Sequence, residues 1–125
     1  MSKVRANRRL RLSDAQTKEF QGLRLFQLSP AGQGPFSALR ITVAPHTDLP
    51  MVHHARMWEF FFVLKGSGYG RVGRRQVRFK KGDHVFLPPR VLHDFHTGAQ
   101  ELEALVVFSP RFDARRPDIV SPRAR

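Results

Sequence analysis

The chain has 125 residues, no cysteine and a formal net charge of +12. That length suits one domain with its own core and no staples, while the missing cysteine excludes both a disulfide framework and a thiolate metal site. No run of about 18 apolar residues occurs, and no apolar segment follows the basic N-terminus, so neither a membrane span nor a secretory leader is expected and the expected location is cytoplasmic.

Residues 1–22 read as a basic N-terminal arm, with six Lys/Arg against two acids. Lys3, Arg5, Arg8, Arg9 and Arg11 could touch a phosphate backbone, but no aromatic interleaving or base-reading helix accompanies them. A solvated arm is therefore preferred to a nucleic-acid contact. Residues 10–22 also have room for a helical turn, with Ser13 as N-cap ahead of Ala15 to Phe20.

From residue 23 to 112 the dominant period is two, the signature of strands with one wet face. Leu39, Ile41 and Val43 alternate with Arg40 and Thr42, which predicts a strand over 38–44. Residues 59–65 are apolar on both faces, as expected of a central strand covered on both sides. Gly66 to Gly70 is too glycine-rich for a helix and predicts a bend. Tyr69 to Val72 and Gln76 to Lys80 should then pair across Gly73-Arg74 as a hairpin. Lys80 to Asp83 is the next turn and His84 to Leu87 the next strand, ended by Pro88-Pro89, which cannot donate ladder hydrogen bonds. Val91 to His96 and Leu102 to Phe108 complete an all-β set, a small antiparallel barrel or sandwich. Residues 113–125 read as a basic C-terminal tail, and deletion of 1–11 and 118–125 is expected to leave the thermal midpoint nearly unchanged.

Two stretches concentrate the chemistry: His53-His54-Ala55-Arg56-Met57-Trp58-Glu59, and Gly82-Asp83 through Pro88-Pro89-Arg90 to His93. Imidazole with carboxylate is metal-ligand chemistry. Neither stretch closes a site alone, but two neighbouring strands bring them together. Glu59 heads an apolar strand, and a buried carboxylate costs several kcal/mol unless it meets a cation. His53 and His54 are alternatives, since adjacent residues on a strand face opposite sides. His46, His84 and His96 read as structural or solvent-facing.

The spacing resembles the two motifs of the cupin superfamily, small antiparallel barrels of the double-stranded β-helix or jelly-roll type that commonly hold a metal with three His and one Glu. In the first motif Glu59 and Gly66 fit and His54 fits as the second His, while His46 stands where a Gly belongs and Val52 where the first His belongs. A shift by one residue makes His53 the first His and leaves Ala55 at the second. In the second motif Gly82, Pro88 and His93 fit, Arg90 replaces a Gly and Thr97 an Asn.

The resemblance implies one divalent transition metal, Fe, Mn, Ni, Zn or Cu, on His54, Glu59 and His93 with His53 as substitute. It further implies a dioxygenase, isomerase or lyase acting on a small oxygenated molecule, or else a non-catalytic small-molecule-binding or sensing barrel. Trp58, Phe61, Phe86, Phe95 and Phe108 are candidates for the pocket wall, and Arg40, Arg56 or Arg90 for gripping a carboxylate. Family members of this size are usually dimers, so a homodimer is expected.

Overall fold

Alternating apolar residues do fold as strands here. The computed structural model describes residues 11–113 and 115–122, and its described residues hold ten strands in two antiparallel sheets. In chain order these are β1 (Thr17–Phe20), β2 (Leu23–Gln27), β3 (Ser37–Val43), β4 (Asp48–Val52) and β5 (Trp58–Lys65), then β6 (Ser67–Val72), β7 (Arg75–Lys80), β8 (His84–Leu87), β9 (His93–His96) and β10 (Leu102–Ser109). One sheet runs β1-β2-β3-β10-β5-β8 and the other β4-β9-β6-β7.

The core lies between the sheets. From the larger sheet come Leu39, Ile41 and Val43 on β3, Phe61 and Val63 on β5, and Leu102, Ala104 and Val106 on β10. Phe79 and Phe95 face them from β7 and β9, and Phe61, 1% exposed, stacks on Phe95 at 4.8 Å with Phe79 edge-on at 5.5 Å. Burying a ring of that size contributes about 1.5–3 kcal/mol.

Two glycines permit close main-chain approaches, the first where the chain passes from the larger sheet to the smaller and the second within the smaller sheet. Gly66 (φ 81) ends β5, and a Cβ there would lie 1.8 Å from the Glu101 carbonyl oxygen. A Cβ at Gly70 would lie 2.0 Å from the Asp94 carbonyl oxygen, so β6 can approach β9 only without a side chain there. The bend expected over residues 66–70 is thus confined to Gly66, and Ser67 onward is strand.

Three further expectations are corrected. The helical turn is reduced to a 3-10 turn at Leu12–Asp14, and Thr17–Phe20 pairs with β2 as a strand. β2 and β4 were not expected at all. β5 is central, but its second face is only partly covered: Trp58 is 44% exposed and Phe60, Phe62 and Leu64 are half-buried. Of Lys3, Arg5, Arg8, Arg9 and Arg11, only Arg11 lies within the described residues. No helix among the described residues is long and apolar enough to cross a membrane.

Candidate metal centre

The inward parity of β5 that buries Phe61 and Val63 also buries Glu59, which is 5% exposed at the strand's start. On β9, His93 shares the inward side with Phe95 and is 4% exposed. His54 follows β4 and is 6% exposed. Ligand atoms of His54, Glu59 and His93 all lie within 4.8 Å of one another. Glu59 Oε1 is 3.0 Å from His54 Nε2 and 3.4 Å from His93 Nε2, and the two rings stand 5.0 Å apart.

The outer nitrogens are committed elsewhere. His54 Nδ1 donates to the Asp118 carbonyl at 2.6 Å, and His93 Nδ1 donates to the Val91 carbonyl at 2.9 Å. A carbonyl oxygen can only accept, so both protons sit on Nδ1 and both Nε2 atoms turn toward Glu59. Such outer-nitrogen bonds orient ligating imidazoles in metal sites.

Burial opposes charge on His54, yet the hydrogen bond to Glu59, the Asp118 carbonyl and the attraction of both carboxylates together raise its pKa above the ordinary value. Burial likewise opposes charge on Glu59, but hydrogen bonds and attraction from His54 and His93 outweigh it and lower its pKa. Each group thus favours the charged form of the other, and a bound cation would take the place of an imidazole proton. Two imidazole nitrogens and one carboxylate, converging in a buried site, fit a divalent transition ion.

Other candidates lie elsewhere. His53 is outside the group, and its main chain pairs with Val120. Val52, at the position of the missing first His, is cross-strand from His93. His84 is exposed and stacks on Phe62 at 6.0 Å, and His96 donates to Asp48 at 2.7 Å with Asp94 at 3.2 Å on its other nitrogen. Burial opposes the His96 charge, but these two carboxylates raise its pKa.

His46 (φ 54) and Arg90 (φ 72) keep the left-handed backbone that the motif glycines would supply. Thr97, in place of the motif Asn, is buried, accepts from Thr47 N at 2.9 Å and donates to the Ala44 carbonyl. Phe61, Phe95 and Phe108 point inward, with Phe108 edge-on to His54 at 5.4 Å. Trp58 and Phe86 do not line the interior. They are 44% and 62% exposed and stack on each other at 5.3 Å on the outer face. Arg40 pairs with Glu103 at 2.6 Å, whereas Arg56 lines a cavity of about 150 Å³ together with Met57, Arg111, Arg116 and Asp118.

Sequence reasoning missed Asp118. Its carboxylate accepts from Ala55 N at 2.6 Å, Arg56 N at 2.7 Å and Met57 N at 2.9 Å. Burial would raise its pKa, but these three N–H groups and the His54 charge lower it. The tail expected to be dispensable thus reaches the site, and no signal in a basic, proline-containing segment marks that aspartate.

Two packed antiparallel sheets with a His-Glu-His group buried between them define a small β-barrel of the cupin class. The family profile described as "Cupin domain" matches residues 39–108, and the chain belongs to that family. An uncharacterized protein of Streptomyces coelicolor is 38% identical over 52 residues, 42% of this chain, and the match spans 50% of that relative's own length.

Among solved structures, the polyketide cyclase RemF of Streptomyces resistomycificus superposes with TM-score 0.79 at 19% identity, covering 96% of this chain and 88% of its own. KdgF of a Halomonas species gives 0.78 at 15%, covering 89% and 100%. Streptomyces Pac13, a nucleoside dehydratase also solved with uridine, gives 0.72 at 17%, covering 94% and 92%. At these identities the likeness establishes the fold.

Proposed function

We propose that this protein is a metal-dependent cupin enzyme acting on a small oxygenated organic molecule, with His54, Glu59 and His93 as the metal ligands. Glu59 carries the reading: its buried carboxylate faces two imidazoles whose Nδ1 atoms are both hydrogen-bonded to main chain, leaving the Nε2 atoms for a cation. A divalent ion held there would supply a Lewis acid for a substrate oxygen. Phe61, Phe95 and Phe108 keep water from the inner side of the group. Arg56, Arg111 and Arg116 around the neighbouring cavity suit a carboxylate-bearing substrate, because the guanidinium fork matches its two oxygens. Relatives of this fold that act on a nucleoside or cyclise a polyketide support a small oxygenated substrate.

The test is a panel of small acids, diketones, sugars and nucleosides offered to the Fe(II)-, Mn(II)- and Ni(II)-loaded protein, with product formation and oxygen consumption followed. A second reading, a non-catalytic binding or sensing barrel, is favoured by Val52 opposite His93, where the motif has an imidazole. Saturable binding of panel compounds without turnover supports that reading instead.

A homodimer is part of the proposal. The outer face of the larger sheet carries Trp58, Phe60, Phe62 and Phe86, with Leu105 and Val107 cross-strand from Phe62 and Phe60. Arg40 and Glu103 on the same sheet neutralise each other. A neutral, aromatic face suits isologous contact with a second copy.

A further inference from the structure

After β10 the chain returns to the metal group. His53 and Val120 exchange both main-chain hydrogen bonds, each 2.9 Å, so residues 118–120 dock beside residues 53–57. Two residues before Val120, Asp118 makes four contacts: its carboxylate accepts from the main-chain N–H of Ala55, Arg56 and Met57, and its carbonyl accepts from His54 Nδ1. The consecutive N–H groups at 55–57 belong to the turn that joins His54 to Glu59. Holding that turn on one carboxylate fixes how far apart and at what angle the two donors stand.

The carbonyl contact does a second thing. A neutral histidine in water favours the proton on Nε2, the nitrogen that here faces Glu59 and His93. An acceptor 2.6 Å from Nδ1 reverses that preference and exposes the Nε2 lone pair inward. Asp suits the position because it brings two acceptor oxygens to three N–H groups. Asn has one acceptor, and its NH₂ would oppose an N–H; Ala has none.

We propose that Asp118 is the positioning residue of His54, its carboxylate clamping the 55–57 turn and its carbonyl selecting the Nδ1-protonated tautomer. This rests on reading His54, Glu59 and His93 as metal ligands, and it makes the C-terminal segment part of the site.

The test uses the full chain as wild type, Asp118→Ala and Asp118→Asn, with two readouts. Long-range proton–nitrogen correlation spectra of the metal-free protein, at a pH where the imidazoles are neutral, report the His54 tautomer. Titration with Co(II), followed by its visible spectrum, reports affinity. The expected result is Nδ1–H on His54 in wild type, a weakened preference in Asp118→Ala because the 118 carbonyl, which alanine keeps, is no longer held against Nδ1 once the carboxylate clamp on 55–57 is gone, and a Co(II) affinity lowered roughly ten- to a hundredfold, the usual cost of losing a partner behind a ligand. Asp118→Asn should lie between. A folded Asp118→Ala with the tautomer and affinity of wild type overturns the proposal. So does a fall in melting temperature with the tautomer unchanged, since that is a structural role alone. If Asp118→Ala does not fold, Asp118→Asn against wild type decides in the same terms. If wild type takes up no Co(II), the metal reading fails, while the tautomer comparison still upholds or overturns the positioning role.

Discussion

Replacing Glu59 with Gln in metal-free protein should change stability in a way that depends on pH and reverses at high pH. Glu59 and His54 are 5% and 6% exposed and bonded at 3.0 Å. Removing one partner of such a buried pair costs about 3–5 kcal/mol while the other remains charged. The raised pKa of His54 means its contribution is fully present below its ordinary value of 6.5 and is lost as pH rises through the folded value. The lowered pKa of Glu59 means its contribution is present above its ordinary value of 4.5 and is lost as pH falls through the folded value. Both apply together between about pH 4.5 and 6.5.

At pH 5.5 Glu59→Gln should therefore lower the melting temperature by about 10 °C or more, taking roughly 4 °C per kcal/mol for a chain of this size. Above the folded pKa of His54, the wild-type carboxylate faces an Nε2 lone pair without a proton. There Gln, whose NH₂ can donate to that lone pair, should cost nothing or stabilise. Thermal melts of both proteins from pH 5 to 9.5 in the presence of chelator decide it. A destabilisation of constant size across that range would refute the ion-pair account of the site.

Arg90→Gly should stabilise the protein by roughly 0.5–1 kcal/mol in chemical denaturation, because a left-handed backbone costs an L-residue about 1–2 kcal/mol and glycine's extra unfolded-state entropy returns part of it. Asp48→Asn should cost below about 1 kcal/mol at pH 6 and nothing once pH passes the folded pKa of His96, since a raised imidazole pKa stabilises only while the ring is protonated. Trp58→Glu should convert the proposed dimer to monomer in light-scattering chromatography while leaving the far-UV spectrum β-rich, because Trp58 lies on the outer face; a dimer that survives the change lies elsewhere.

Strands with one buried face were legible in the sequence. β3, β7, β8, β9 and β10 follow from alternation and from Gly or Pro at their ends. β1 was not legible because all four of its residues are exposed, so no apolar alternation marks it. β4 contains Pro50, which usually argues against a strand, and it is tolerated because β4 is an edge of its sheet. The outward aromatics of β5 look like core in sequence, because a second buried face and a face awaiting a partner have the same composition.

At the site, spacing singled out His54, Glu59 and His93, which the fold brings together. It also located the two motif glycine positions, since His46 and Arg90 retain positive φ. Asp118 was illegible because its partners lie 61 to 64 residues away and three of its four contacts are to main-chain N–H groups, which leave no trace in residue type.

The most direct measurement is elemental analysis of wild-type and His93→Ala protein, both purified without a His-tag. About one divalent transition metal per wild-type chain, absent from a folded His93→Ala, is the predicted result. Wild-type protein that takes up no divalent metal, or a His93→Ala variant that retains it undiminished, would contradict the assignment of this centre.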